Sequence, residues 1–284
     1  MEIKDILFIN YEICQSKSAT NNALFVLTKD CIEAYYKLLI KFNKEKTLTE
    51  KEIAIRSIFN HQFNLMYELL VNIRYELFNS GYRLSRSILE NKVLMEFIYI
   101  GSDQQSYWYN KWHYIKKITN NDDTEIANKQ ENDKMTKYLY NSFCATHEKI
   151  YGSDYGFAQE TLGNQYISMK DIMYYIDNTS VTYSYYKLFS DLSHGSNERS
   201  NKYDYLLRNN LDFNENTETG IYLIWYLSLK KIIGIYKSVE EQSIEYQNLK
   251  KAITTVQEYI VENNIYKNDD FKNFINSLDV PIVE

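Results

Sequence analysis

The sequence predicts an all-α fold, and three observations carry that prediction. With a single proline, Pro281, and only eight glycines in 284 residues, the chain has few points at which a helix would break. Apolar residues recur at three- and four-residue spacing over long stretches, whereas no stretch alternates convincingly with the two-residue period of a strand. The hydrophobic content of 44% is enough to bury a core. We therefore predict one helical domain over 1–284, a single bundle of about nine to ten helices.

The first half of the chain supplies the longest predicted helices. Apolar residues spaced as on one helical face run from Ala23 to Phe42. A capping box, Thr49 to Glu52, opens a second helix to about Asn79, for which Gly81 would be the C-terminal stop. The next helix, about 82–100, is apolar on nearly every face of its second half, VLMEFIYI. A helix of this kind is expected at the centre of the bundle.

The later helices are separated by polar segments, and the last two before the C-terminal tail are again expected to be long. Ser102 or Asp103 begins an aromatic-rich helix, and Ser168 caps one that extends to Ile176. The glycine-containing stretch from Tyr151 to Tyr166 is interpreted as a long surface loop. The other predicted helices cover roughly 124–150, 181–194, 220–239 and 244–263, with a short one near Phe271. Those in 201–284 are expected to pack on a core formed by residues 50–200.

The charge and the cysteine content narrow the class of protein. A net charge of −6 gives no long-range attraction for phosphate backbones, so contact with a nucleic acid would have to come from a local basic patch. The three cysteines, Cys14, Cys31 and Cys144, share no metal-binding spacing and are typical of free thiols. The longest apolar run, Ile221 to Leu229, is too short to cross a bilayer. We expect a cytoplasmic protein, not associated with a membrane, that needs no metal ion or cofactor.

The first candidate constellation lies on the predicted central helix. Arg83, Arg86 and Glu90 share one stripe, at i, i+3 and i+7, beside the apolar half of that helix. Charges at such a position are expected to be partly buried, and Arg86 and Glu90 could simply form a structural ion pair. Alternatively, an arginine held by a carboxylate presents its guanidinium to the phosphate or carboxylate of a ligand, with Arg83 as a second binding residue.

The second constellation lies further along the chain, in the sequence YYKLFSDLSHGS. Tyr186, Ser190 and His194 stand at i, i+4 and i+8 on one helical face, and Gly195 would end the helix just after His194. The partial negative charge of a helix C-terminus favours the protonated form of a histidine, which can then exchange a proton near neutral pH. The alternative is that His194 only caps the last carbonyl groups.

A third signal is the pair Arg56 and His61, which has the R-x4-H spacing of HEPN ribonucleases. In that mechanism the histidine handles the proton of the ribose 2′-hydroxyl while the arginine stabilises the phosphorane, without a metal ion. Five residues place the two side chains about 140° apart on an ideal helix. The usual polar residue beside the arginine is only Ser57 here. This pair is therefore the alternative catalytic set.

The aromatic residues between Tyr107 and Tyr114 form a further candidate site. They could stack bases or a planar ligand, although such a run more often packs against other helices. No glycine-rich phosphate loop, nucleophile elbow or zinc-binding histidine pair is present in the sequence. Candidate chemistry is thus concentrated in the arginine, glutamate, serine and histidine constellations.

The order and spacing of these motifs resemble those of a widespread bacterial, all-helical family of unknown function. That family is marked by an R-x-x-x-E helix and a later Y-x-x-x-S-x-x-x-H motif, which fall here on Arg86, Glu90, Tyr186, Ser190 and His194. The resemblance covers residues 50–200 and implies that the five side chains meet in one polar pocket. A second resemblance, to HEPN proteins, rests on the helical architecture and on the pair Arg56 and His61.

Two functions are compatible with these motifs and resemblances. HEPN-like proteins are frequently toxins or phage-defence effectors, which implies a metal-independent endoribonuclease that acts on RNA and travels with an antitoxin or sensor partner. The residues of that enzyme would be the catalytic Arg86, Glu90, Ser190 and His194, alternatively Arg56 and His61, and the binding residues Tyr186 and Arg83. The alternative is a non-catalytic sensor or partner-binding module whose polar pocket is structural or binds a small anion. Either protein could form a homodimer.

Overall fold

The structure, a computed structural model, is built of helices joined by short turns, without strands, in the part of the chain that it describes. That part consists of residues 19–44, 47–74, 78–119, 130–147, 154–163, 167–177, 182–183, 186–187, 189–190, 228–229, 234 and 243–263. Its eight α-helices are α1 (Ala19–Lys44), α2 (Glu50–Arg74), α3 (Phe78–Ile100), α4 (Asp103–Thr119), α5 (Gln130–Cys144), α6 (Gln159–Leu162), α7 (Met169–Ile176) and α8 (Ile244–Glu262). A 3-10 turn, Gly156–Ala158, precedes α6. The predicted all-α class is confirmed.

Two predicted C-terminal helices lie largely or entirely outside these ranges. Of the one expected over 220–239, residues 228, 229 and 234 are described, and all three have helical backbone. The short helix expected near Phe271 lies outside the described residues. The eight helices therefore belong to the described part alone, whereas the expectation of nine to ten concerned the whole chain.

The structure divides into two compact units that are interleaved along the chain. Unit 1 is drawn from residues 1–45, 59–92 and 181–284, and unit 2 from residues 46–58 and 93–180. The division falls inside α2 and inside α3, so neither unit is a continuous piece of sequence. The single domain expected over 1–284 stays a prediction.

The helix starts that were predicted from capping residues are confirmed. The Thr49 N–H donates to Glu52 Oε2 at 2.8 Å, and the Glu52 N–H donates to Thr49 Oγ1 at 3.2 Å. Ser102 Oγ accepts the backbone N–H three residues further on, at 3.0 Å. Ser168 and Asp171 form a second capping box at the start of α7. These side chains satisfy N–H groups that have no partner inside a helix.

Gly81 does not end a helix, in contrast to the prediction. Helix α2 already ends at Arg74, and α3 begins at Phe78, so that Gly81 lies in the first turns of α3. Gly81 is buried there, and its carbonyl accepts a hydrogen bond from Ser85 Oγ at 2.8 Å. A glycine weakens a helix relative to alanine but does not break it. The central helix is therefore longer at its N-terminus than the predicted 82–100.

The interpretation of Tyr151 to Tyr166 as a surface loop is also wrong for its central residues. The 3-10 turn is buried, and its Phe157 packs on the aromatic residues of α4. A Cβ atom on Gly156 would overlap the indole ring of Trp112, so glycine is what allows the turn to approach α4. Gly163, at φ 68°, ends α6 in the left-handed conformation. Gly156 thus permits close packing and Gly163 ends a helix, whereas both were expected to belong to an exposed loop.

The core of unit 1 forms where α1 meets the second part of α2. The Tyr35 hydroxyl donates to the Phe59 carbonyl at 2.7 Å, and the two rings meet edge to face with centroids 4.4 Å apart. Helix α8 packs along α1, and Lys41 pairs with Glu245 at 3.6 Å. The C-terminal helix α8 therefore contributes to the core of unit 1.

In unit 2, side chains from the start of α2 bind the end of α3 and the middle of α4. Lys51 Nζ donates to the carbonyls of Tyr99 and Gly101, at 3.2 and 2.7 Å. Asn110 Nδ2 donates to the Glu50 carbonyl at 2.8 Å and to its carboxylate at 2.7 Å. Because helix-end carbonyls lack partners within their own helix, Lys51 satisfies groups that would otherwise need water.

Two fully buried glutamines differ in whether their amide groups are bonded. Gln62, in unit 1, has neither its Oε1 nor its Nε2 atom hydrogen-bonded within the described residues. Gln105, in unit 2, donates to the Phe97 carbonyl at 3.3 Å and accepts a hydrogen bond from Thr161 Oγ1. A buried amide without a partner lowers stability, whereas a bonded one leaves its partners unsatisfied when it is removed.

We predict that Gln62→Leu raises the free energy of unfolding by about 1–2 kcal/mol, because an unpaired amide is replaced by an apolar group of similar size. The matched change Gln105→Leu is expected to lower it by about 1–3 kcal/mol, because a carbonyl and a hydroxyl lose their partner. Chemical denaturation of the two variants measures both values. Destabilisation of similar size in both variants would contradict the prediction.

Candidate functional site

A polar cluster in unit 1 has Arg86 at its centre. Arg86 Nε donates to Glu90 Oε1 at 3.2 Å, and Nη2 lies 3.2 Å from the same oxygen. The two residues are one turn apart on α3, the spacing at which helical side chains meet. Their side chains remain 26% and 21% exposed. The ion pair is therefore at the border of the core, within reach of solvent.

Two hydroxyl groups from a distant part of the sequence complete the cluster. Arg86 Nη2 donates to Tyr186 Oη at 2.7 Å, and Nη1 donates to Ser190 Oγ at 3.3 Å. The guanidinium carbon lies 4.7 Å from the centre of the Tyr186 ring, a distance at which a cation is attracted to an aromatic face. Tyr186 and Ser190 have helical backbone and four-residue spacing, so they share a face. We call Arg86, Glu90, Tyr186 and Ser190 the Arg86 cluster.

Aromatic contacts hold the second segment against α3. Phe189 is buried, and its ring stacks with that of Tyr82 at a centroid distance of 6.4 Å. Tyr82 lies one turn before Arg86 on the same helix. The apolar contact therefore fixes the segment next to the position where its hydroxyls bind the guanidinium. Neither aromatic residue is among the motif residues predicted from the sequence, where their apolar character was the only signal.

The charges of the cluster change the acidity of its members. Burial alone would lower the pKa of Arg86, but the Glu90 carboxylate and the hydrogen bonds to Glu90 and Tyr186 outweigh this, and the pKa lies above its usual value. Burial and the Glu90 carboxylate raise the pKa of Tyr186, and Arg86 only partly opposes them. At neutral pH the cluster therefore has a charged guanidinium and a neutral phenol.

The other predicted residues of these motifs are placed differently. Arg83 is exposed, one turn before Arg86 on α3. His194 lies outside the described residues. The structure thus brings together Arg86, Glu90, Tyr186 and Ser190, and the catalytic and binding roles of all six residues stay predictions.

The alternative pair, Arg56 and His61, lies on α2. Arg56 is half-buried, and the His61 side chain is exposed. Because the helix is continuous between them, the five-residue spacing turns their side chains about 140° apart. The two residues therefore do not share a face of their helix, and their catalytic role stays a prediction.

The aromatic residues of α4 pack inside unit 2. Trp108 and Trp112 are buried, and both rings meet Phe143 of α5 edge-on, at centroid distances of 5.1 and 5.3 Å. Rings that are covered in this way stabilise the contact between α4 and α5. The structure supports the packing interpretation of these two residues rather than base stacking.

Two further charged residues, Lys92 and Glu96, are buried on α3. Glu96 is the one charge in the apolar run VLMEFIYI, whereas Lys92 belongs to none of the predicted motifs. A buried charge requires hydrogen bonds or an opposite charge nearby, so polar groups must lie next to both positions on the helix. A four-residue spacing of opposite charges was the signal that could have drawn attention to them.

Metal-binding clusters and membrane-spanning helices are absent from the described part of the chain. Within the described residues, no three histidine, cysteine or acidic side chains come together as a metal ion would need. Cys31, which is buried, and Cys144 are free thiols, whereas Cys14 lies outside the described residues. None of the described helices is both long and apolar enough to cross a bilayer.

No protein-family model, curated protein or solved structure matches the chain. The resemblances to a bacterial helical family and to HEPN proteins therefore stay predictions from the sequence motifs.

We predict that Tyr186 makes stability depend on alkaline pH. Because its pKa is raised in the folded protein, its contribution is fully present below the unfolded value of about 10 and is lost as pH rises above it. The free energy of unfolding should therefore fall more between pH 8 and pH 11 in the wild type than in Tyr186→Phe. Denaturant titrations at several pH values measure this difference.

The control is Tyr138→Phe, which changes a tyrosine that is 65% exposed. It should keep the pH dependence of the wild type. Equal slopes in the wild type and Tyr186→Phe would contradict the prediction, whatever the effect of that change at neutral pH.

Proposed function

We propose that the Arg86 cluster binds a phosphate group and that a phosphate-bearing molecule is the ligand or substrate of this protein. The observation that carries the proposal is the partly exposed guanidinium held by Glu90, Tyr186 and Ser190. A guanidinium that is already oriented loses less side-chain entropy when a ligand binds. Its charge is also permanent, and guanidinium groups are frequent partners of phosphate in proteins.

The Ser190 hydroxyl adds a second reason to expect an anion. Its oxygen accepts a hydrogen bond from Arg86, so its own proton can be donated to another acceptor. Within the described residues the Ser190 hydroxyl donates no hydrogen bond. A hydroxyl that can still donate, next to a guanidinium in contact with solvent, is expected of a site that receives an anion.

The test is thermal unfolding with inorganic phosphate against sodium chloride of equal ionic strength. At phosphate concentrations near ten times Kd, we expect Tm of the wild type to rise by about 3 °C and Tm of Arg86→Gln to stay unchanged. Lys250→Gln, which removes an exposed cation from α8, is the control and should respond like the wild type. If phosphate fails to raise Tm of the wild type, the cluster is a structural ion pair.

A metal-independent endoribonuclease is a second candidate, and one specific observation favours it. Tyr186 and Ser190 both contact Arg86, so the helical face that carries them is turned to the guanidinium. Helical spacing would put His194 next on that face. His194 would then take the proton of the ribose 2′-hydroxyl, and Arg86, oriented by Glu90, would stabilise the phosphorane. Toxin or phage-defence biology, with an antitoxin or sensor partner, is the setting that the HEPN resemblance implies.

For this candidate we predict RNA cleavage that persists in EDTA. His194→Ala should lower the cleavage rate by about 100-fold or more, because a proton-transfer group is lost. Purified wild type, His194→Ala and His61→Ala are compared on total RNA, and growth of a bacterial host that expresses each one is followed in parallel. Loss of cleavage in His61→Ala alone would assign the activity to Arg56 and His61. If the wild type leaves RNA intact, the ribonuclease hypothesis is excluded and only the phosphate-binding function remains.

A further inference from the structure

We infer that the phosphate bound by Arg86 belongs to single-stranded RNA and that Tyr183 stacks on a base next to it. This inference rests on the proposed phosphate-binding function. It adds a ligand class and a residue that the sequence motifs do not contain. The observations that carry it are a second aromatic ring beside the cluster and an exposed lysine four residues after that ring.

The rings of Tyr183 and Tyr186 lie close to each other beside Arg86. Their centroids are 6.1 Å apart with planes inclined by 27°, and the Tyr186 ring is itself 4.7 Å from the guanidinium carbon. Tyr183 is only half-buried. A cationic group and a flat apolar surface are therefore separated by one ring. A nucleotide has the same two features, a phosphate and a base, separated by its sugar.

Charge near the cluster has the sign that RNA requires. Lys187 is exposed, and like Tyr183, four residues earlier, it has helical backbone. Arg83, also exposed, lies one turn before Arg86. The whole chain has a net charge of −6, so general attraction for RNA is absent and a local group of cations is needed. The surroundings of Arg86 supply such a group.

Single-stranded RNA fits these features better than a phosphorylated protein segment does. Base stacking on aromatic side chains together with cations along the backbone is the usual way in which proteins bind single strands. A phosphorylated side chain would use the guanidinium and the lysine but would leave the Tyr183 ring without a role. The dependence of binding on the bases themselves therefore separates the two ligand classes.

The experiment measures binding of a fluorescein-labelled 2′-O-methyl oligoribonucleotide of about eight residues by anisotropy. The methyl groups block cleavage, because no 2′-hydroxyl remains to attack the phosphorus. An abasic oligomer of the same length and charge is the parallel probe. We expect the wild type to bind the base-bearing oligomer more tightly, Tyr183→Leu to weaken that binding by about 5- to 100-fold, and Tyr183→Phe to retain it.

Binding of the abasic oligomer should be equal in the wild type and in Tyr183→Leu. Lys187→Gln, an exposed change, should reduce the slope of log Kd against log salt concentration by about 0.7, the value for one phosphate contact on a single strand. If Tyr183→Leu fails to fold, the comparison of the two oligomers on the wild type still decides the question.

Equal affinity of the wild type for the base-bearing and abasic oligomers would overturn the inference. Wild-type affinity in folded Tyr183→Leu would overturn it as well. Should inorganic phosphate raise Tm while neither oligomer binds, the proposed function would stand and RNA would be excluded. If phosphate has no effect and neither oligomer binds, both the inference and the proposed function fail.

Discussion

Removing a guanidinium from water is unfavourable by several kcal/mol unless its N–H groups are hydrogen-bonded. Arg86 is three-quarters removed from solvent, and each of its three nitrogens has an oxygen partner. Glu90 Oε1 lies 3.2 Å from both Nε and Nη2, and the hydroxyls of Tyr186 and Ser190 accept hydrogen bonds from Nη2 and Nη1. These hydroxyls therefore replace water around the buried part of the guanidinium. The hydrogen bonds connect two distant segments of the chain within unit 1.

The same contacts give the cluster a fixed orientation. Phe189 and Tyr82 provide an apolar contact beside it, and that contact does not depend on charge. Protonation near neutral pH does not alter the guanidinium or the phenol, because the pKa values of both are raised. The hydrogen-bond donors thus keep one arrangement over the physiological pH range. This favours binding of a ligand by the cluster over proton transfer by its own residues. Any proton transfer would have to come from another residue, and His194 is the one proposed.

Local rules made much of the fold predictable. Thr49, Ser102 and Ser168 start helices because their side chains bind N–H groups a few residues away, and that information is contained in short stretches of sequence. Gly81 and Gly156 were misinterpreted because a glycine can stop a helix or permit close packing. Only the neighbours in space decide between these roles. For Gly156 the decisive neighbour is Trp112, which is 44 residues away in the sequence.

The Arg86 cluster shows the same limit. The sequence spacing predicted that Arg86 and Glu90 meet, and helical periodicity placed Tyr186 and Ser190 on one face. That the two sets come together was implied by resemblance to a family, because spacing within one helix carries no information about another. Tyr183 was not recognised at all, since an aromatic residue among 28 tyrosines has no distinguishing feature until its neighbours are known.

Within the described residues the buried amide of Gln62 makes no hydrogen bond, and this affects how many substitutions the protein can tolerate. A core that folds around an unsatisfied polar group holds other interactions strong enough to offset it. Replacing Gln62 by an apolar residue would raise the free energy of unfolding, and that gain could offset destabilising substitutions at other positions. Substitutions that alter the ligand preference of a site usually destabilise, and a background with such a reserve tolerates more of them. Gln62 is thus a natural starting position for laboratory evolution of this scaffold.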